Sequence, residues 1–177
     1  MTYAAAIIIG YVLGSLPVAL WVGRRNGVDL REVGDRNPGA WNALEQLGPR
    51  RAAPVFAGDG LKGLLAGITG DALAGTAGAY CGVLGAMLGH SLPIFAGFRG
   101  GKAVMAFAGG AFALSPRAAA VALAACMLMT LAGSFRWGAR IGVFGFPLAQ
   151  LAFAPIEHVA ATGALMTFIG VRYLADR

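Results

Sequence analysis

The stretch 72-ALAGTAGAYCGVLGAMLG-89 carries no charge, and its glycines at 75, 78, 82, 85 and 89 recur every three or four residues. At about 1.5 Å per helical residue such a run nearly spans a hydrocarbon core about 30 Å thick. The glycine spacing puts five residues without side chains on one helical face, which lets neighbouring backbones approach closely. The stretch reads as one glycine-seamed span of a membrane helix bundle.

Working outward, the same test finds further apolar runs at 3–23, 52–69, 103–115, 117–135, 138–153 and 156–174. The expected fold is therefore all-α: a polytopic membrane helix bundle of about seven spans, with 1–177 as a single integral membrane domain. The run at 103–115 is short and reads as a tilted or partial span. Pro54, Pro116 and Pro155 fall in first turns, where a missing N–H costs nothing. The opening MTYAAAIIIGYVLGSLPVALWVG has no basic segment before its apolar run and reads as a retained span.

Composition agrees. The chain is 58% hydrophobic and 12% charged, against about 25% charged in soluble domains. The net charge of +6 does not point to nucleic acid, because no basic stripe or interleaved aromatic run accompanies it. Cytoplasmic loops of membrane proteins collect Lys and Arg instead. Arg24, Arg25, Arg31, Arg36, Arg50, Arg51, Arg99, Lys102, Arg136, Arg140, Arg172 and Arg177 all fall on one side of a seven-span arrangement. Only Arg117 falls on the other, and Lys62 lies inside a span. The N-terminus is expected outside and the C-terminus in the cytoplasm. Cys81 and Cys126, far apart in apolar runs, read as buried small hydrophobes, and no metal-ligand spacing occurs.

Three polar segments share the basic side. The loop 28-VDLREVGDRNPGAWNALEQLGPRR-51 centres on Arg36, Asn37, Gly39 and Asn42, whose guanidinium, amides and exposed backbone suit phosphate oxygens. A solvated loop whose arginines only set topology is the competing reading. Asp59 and Lys62, three apart within an apolar run, share a helical face and can pair. Charges at membrane depth face a wet cavity or a protein interior, so a helix-locking ion pair is the structural alternative. In 89-GHSLPIFAGFRGGKAV-104, His90 ends the glycine-seamed span and Arg99, Gly100, Gly101 and Lys102 lead to a helix N-terminus, where anions are favoured. This is not a P-loop, and Phe95 excludes a His-x4-Asp acyltransferase site. His90 alone reads as a helix-end residue, and His158 lies at the opposite face. Together the segments suit a ligand with a phosphate head and a lipid-soluble tail.

Gly14-Ser15-Leu16-Pro17, Asp29-x-Arg31, Asn37-x-Gly39-Ala40-x-Asn42, Asp59-x-x-Lys62-Gly63 and Gly89-His90-x-x-Pro93-x-Phe95-x-x-Phe98-Arg99-Gly100-Gly101-Lys102 occur in this order. Over residues 10–110 the chain resembles the bacterial acyl-phosphate-dependent glycerol-3-phosphate acyltransferases, a seven-span inner-membrane family. The resemblance implies acyl transfer from acyl phosphate to the 1-hydroxyl of glycerol 3-phosphate, giving lysophosphatidic acid and inorganic phosphate for phospholipid synthesis. It implies no metal, cofactor or coenzyme A thioester, and membrane lipid and other phospholipid-synthesis enzymes as surroundings. By position, Lys102, Asn37 and Arg99 would be catalytic, with Lys102, Arg99 and the Gly100 and Gly101 amides gripping phosphate. Arg36, Gly39 and Asn42 would line the first loop's share of the pocket with Asn37, Asp59 and Lys62 would brace or charge-balance it, and His90 would join them in binding substrate. The chain departs from the family pattern at Asp35 (a serine position), at Ala103 (a glycine position) and at 134–140, where a serine-bearing stretch is expected. The motif usual after the last span is not found in 172-RYLADR-177. A relative without turnover that binds phospholipid precursors or a partner enzyme is the alternative function, and a small transporter the third.

Overall fold

In a computed structural model, which describes residues 1–175, the described residues form helices and connections with no strand. Arg177 lies outside them. The helices are α1 (Thr2–Gly14), α2 (Val18–Arg25), α3 (Ala40–Leu47), α4 (Pro49–Ser91), α5 (Val104–Leu114), α6 (Pro116–Leu131), α7 (Phe135–Gln150) and α8 (Ile156–Ala175), with a 3-10 turn at Ile94–Ala96. Thr2–Arg25 and Pro49–Ala96 are long and apolar enough to cross a membrane, with mean hydropathies of 2.1 and 1.4. α5 and α6 are shorter apolar helices.

α1 and α2 together fill the expected first span. Pro17 interrupts them because it cannot donate to the helical ladder. α4 contains the second and third expected spans as two arms. Helical geometry breaks at Ala74 (φ −152°, ψ 26°) and at Gly75 (φ 63°, ψ −158°). The chain then doubles back, so that a Cβ on Gly70 would overlap the Gly78 carbonyl and one on Gly82 the Ala66 carbonyl. Gly75 is thus not a member of the packing seam, as its spacing suggested. It supplies the left-handed conformation that the reversal needs, with open space where its Cβ would be.

The rest of the seam packs as expected. A side chain on Gly10 or Gly14 of α1 would meet the carbonyl of Gly82 or Ala86. One on Gly85 or Gly89 would meet that of Ile7 or Tyr11. α5 lies as closely on the first arm of α4, through Gly63 against the Ala106 carbonyl and Gly109 against that of Gly60. Such contacts replace the hydrophobic drive, which is lost between helices in lipid, by dispersion at short range.

Several boundaries differ from those the sequence suggests. α4 begins at Pro49, so Pro54 lies inside the helix rather than in its first turn. Pro116 does open α6, and Pro155 stands just before α8. α5 has 11 residues and is about 16 Å long, about half a hydrocarbon core. α3 was not anticipated; its eight residues are amphipathic and turn Ala40, Asn42 and Ala43 inward.

Side-chain contacts identify the two ends of the bundle. At one end the first, third and fifth connections meet the C-terminal helix. Trp41 stacks on Phe135 at 5.7 Å, and Lys102 lies 4.5 Å from the Tyr173 ring centre. At the other end a buried polar chain ties α4, α7 and α8 together. Thr162 Oγ1 donates to Gln150 Oε1 at 2.7 Å, Gln150 Nε2 donates to Tyr80 Oη at 2.9 Å, and Tyr80 Oη donates to the His158 carbonyl at 2.9 Å. Every member has a partner, so the network orders the bundle without the cost of orphaned groups.

Candidate active site

The first loop is held in shape by its own polar groups. Asp29 takes the Arg31 backbone N–H at 2.9 Å and both edges of its guanidinium, Nε at 3.0 Å and Nη2 at 2.7 Å. That side-chain hydrogen bonding holds the Asp29 carboxyl down at about 2. Asn42 is fully buried, and its amide donates to the carbonyls of Leu30 at 2.9 Å and Val33 at 3.0 Å. The Asn42 donors are thus engaged within the loop, and Asn42 is not among the residues lining the cavity wall. Arg36 is exposed, with φ at 59°, and also lies away from that wall. Asp35 and Asn37 line it instead, with the Asn37 backbone N–H donating to Asp35 Oδ1 at 3.0 Å. Gly39, extended at the start of α3, lines it too.

α4 supplies a buried triad of polar side chains. Lys62 Nζ stands 2.8 Å from Asp59 Oδ1 and donates to the Leu16 carbonyl at 3.3 Å. His90 Nδ1 is 3.7 Å from the same Asp59 oxygen, beyond hydrogen-bond reach. Although the Lys62–Asp59 distance is short, its geometry is that of an ion pair without a formed hydrogen bond. Asp59 and His90 border both the cavity and a small crevice of about 20 Å³, and Lys62 faces the crevice.

The Arg99–Lys102 segment departs from expectation in two ways. Gly100 N–H donates to the Ser91 carbonyl at 3.2 Å and Gly101 N–H to that of His90 at 3.1 Å. Both amides thus have backbone partners within the chain. The glycines serve close approach instead: a Cβ on Gly101 would come 2.5 Å from His90 Nε2 and 3.2 Å from Asn37 Oδ1. Arg99 is exposed and lines the small crevice with Lys62, so it does not join Lys102 in the cavity. Lys102, half-buried, does line it, and Ala103 after it adopts φ 61° to start α5.

The cavity has a volume of about 490 Å³ and two unlike regions. Its rim carries Asp35, Asn37, Lys102, Arg136, Arg140 and Tyr173. Its interior runs as a trough between α5, α6 and α7, past Ala111, Ala122, Cys126 and Val143 to the edge-on pair Phe107 and Phe146. Phe112 and Leu123 line the trough while remaining partly exposed on the bundle surface. Cys126 is half-buried there, not a sealed core residue. Sequence reasoning read Arg136 and Arg140 as topology signals and as part of the departure at 134–140, not as residues of the cavity. Their four-residue spacing, continued by Gly142, Val143 and Phe146, was the available clue to one helical face.

Such a cavity can hold a molecule with a phosphate or polyol head at the rim and a hydrocarbon tail in the trough. The sequence pattern of a glycerol-3-phosphate acyltransferase family matches residues 4–176. The glycerol-3-phosphate acyltransferase of Symbiobacterium thermophilum is 40% identical over 172 residues, covering 94% of this chain and 84% of that protein. Glycerol-3-phosphate acyltransferase 1 of Deinococcus radiodurans is 38% identical over 159 residues, covering 83% and 80%. The crystal structure of PlsY, an integral membrane glycerol 3-phosphate acyltransferase in its glycerol 3-phosphate form, superposes with a TM-score of 0.86 at 27% identity. That match covers 99% of this chain and 90% of that one. The lysophosphatidic acid form of the same enzyme superposes with a TM-score of 0.82 at 26% identity, over 98% and 88% of the two chains.

Proposed function

The chain belongs to the glycerol-3-phosphate acyltransferase family, and on that premise we propose that it acylates glycerol 3-phosphate to lysophosphatidic acid with acyl phosphate as the donor. The observation that carries this reading is one cavity with Lys102 and Asn37 at a polar rim and a hydrocarbon-lined trough leading from it.

In the reaction, the 1-hydroxyl oxygen of glycerol 3-phosphate attacks the acyl carbonyl carbon. The new ester C–O bond forms as the bond from that carbon to the phosphate oxygen breaks. The hydroxyl proton goes to the departing phosphate, which leaves as inorganic phosphate. The donor is already activated, so the protein's task is to align the reactants and to offset charge. The Lys102 ammonium would offset phosphate charge at the rim. The Asn37 Oδ1 acceptor, buried and without a hydrogen-bond partner, would take a substrate hydroxyl. Gly39 would let the first loop approach the ligand closely. Asp59, Lys62 and His90 form the support behind the rim, and Arg99, Arg36 and the two glycines act on loop shape and local charge.

The same reading gives the bundle seven crossings of a bacterial inner membrane, with the N-terminus outside. The Lys- and Arg-rich connections that meet at the cavity rim would face the cytoplasm, where glycerol 3-phosphate dissolves. The trough, open beside Phe112 and Leu123, would receive the acyl chain from the bilayer. Purified protein in lipid nanodiscs, given palmitoyl phosphate and radiolabelled glycerol 3-phosphate, should form lysophosphatidic acid and inorganic phosphate in equal amounts. Phosphate release without acylated glycerol would overturn the reading.

A further inference from the structure

Both reactants of the proposed reaction carry a phosphate, and two dianions cannot share one cationic seat without strong repulsion. Resting on that reading, we propose that Arg136 and Arg140 of α7 form the seat for the phosphoryl group of the acyl donor, apart from Lys102.

The argument comes from a single helix face. Arg136, Ala139, Arg140, Gly142, Val143 and Phe146 all line the cavity, and their spacing places them along one side of α7. The guanidinium groups stand at the rim end of this face and the apolar residues continue it into the trough. A molecule lying along it meets cations at one end and hydrocarbon surface beyond them. That pattern fits a phosphate joined to a long acyl chain, whereas glycerol 3-phosphate has no apolar part to gain from the stripe.

The arginines are held in place but remain open to exchange. Arg136 lies 5.5 Å from the Trp41 ring centre and Arg140 lies 4.9 Å from that of Trp137. Glu45 lies 3.7 Å from Arg136, and both side chains are exposed. An exposed pair at that distance is weak and yields readily to a phosphate able to accept two parallel guanidinium hydrogen bonds. Lys102 and Asn37 come from other elements of the rim, and the acceptor phosphate is assigned to that side.

The test is calorimetric titration of the detergent-solubilised protein with decyl phosphate, an unreactive mimic of the donor, and with decanol as a tail-only probe. The double variant Arg136→Gln/Arg140→Gln should bind decyl phosphate at least about tenfold more weakly than the wild type. Decanol binding should stay unchanged, which also shows that the variant is folded. Arg136→Lys/Arg140→Lys, which keeps charge but loses the fork, should fall between. Equal decyl phosphate affinity in wild type and the glutamine variant would overturn the proposal, as would a wild type that binds decyl phosphate no better than decanol. Acylation assays on the same preparations test the reaction itself, so binding without turnover counts against the proposed reaction and leaves the seat standing.

Discussion

Lys62 Nζ and Asp59 Oδ1 lie 2.8 Å apart inside the bundle, with side chains only 5% and 1% exposed. Removing one partner of such a buried pair leaves an uncompensated charge and costs about 3–5 kcal/mol, whereas an apolar pair of similar volume is often tolerated. Lys62→Ala and Asp59→Ala should each lower the thermal midpoint of the detergent-solubilised protein sharply. Lys62→Met/Asp59→Leu should recover most of the loss. A double variant as unstable as the sum of the singles would show that the charges do more than balance one another.

The glycine crossings allow a contrast within one residue type. At Gly63 an added methyl would run into the Ala106 backbone, while at Gly163 it would meet nothing within 4 Å. Gly63→Ala should destabilise by about 1–3 kcal/mol through overpacking. Gly163→Ala, in mid-helix, should be neutral or stabilising by about 0.5–1 kcal/mol. Thermal unfolding of the two variants side by side decides it; equal shifts would contradict the packing described.

These packing relations mark how far the sequence could be read. Apolar length suffices to find an all-helical chain and the approximate place of its helical runs, because apolar length follows from the bilayer as solvent. The same glycine period could not say that Gly75 is a turn while Gly82 and Gly85 are contacts, since that depends on which backbone lies opposite. The Arg99–Lys102 loop shows a related limit. Two glycines between cations look like a phosphate cradle, but their amides answer the carbonyls of Ser91 and His90 left open at the end of α4. The role of Asn42 in shaping the loop was hidden because its partners, Leu30 and Val33, are backbone carbonyls that no side-chain motif reveals. Arg136 and Arg140 were hidden by the opposite bias, since cations at a span border already have a topological explanation.

The first loop carries a pH signature. Asp29 is held at about 2, below its ordinary 3.8, by the Arg31 guanidinium. A depressed carboxyl contributes stability that is fully present above the unfolded value and is lost as pH falls through the folded one. The difference in thermal midpoint between wild type and Asp29→Asn should therefore be constant above about pH 5 and shrink between about pH 4 and pH 2. A difference that stays constant across that window would place the loop's anchor elsewhere.

Ala122 is buried where α6 borders the trough, and the Gly142 position faces its carbonyl. Ala122→Phe should fill the trough and shorten the acyl chain accepted. Each methylene denied burial costs about 0.8 kcal/mol, so losing two lowers kcat/KM for long donors about tenfold. Octanoyl phosphate should be used nearly as well as by the wild type. An equal loss for long and short donors would mean that the chain does not lie there.

The central claim is that Lys102 and the hydrocarbon trough serve one substrate complex. The most direct measurement is the rate of lysophosphatidic acid formation from palmitoyl phosphate by wild type and Lys102→Ala, in nanodiscs, at matched folded protein. Loss of a charge-assisted contact made in the transition state predicts a fall in kcat/KM of about a hundredfold or more. A Lys102→Ala enzyme within about threefold of the wild type would contradict the account.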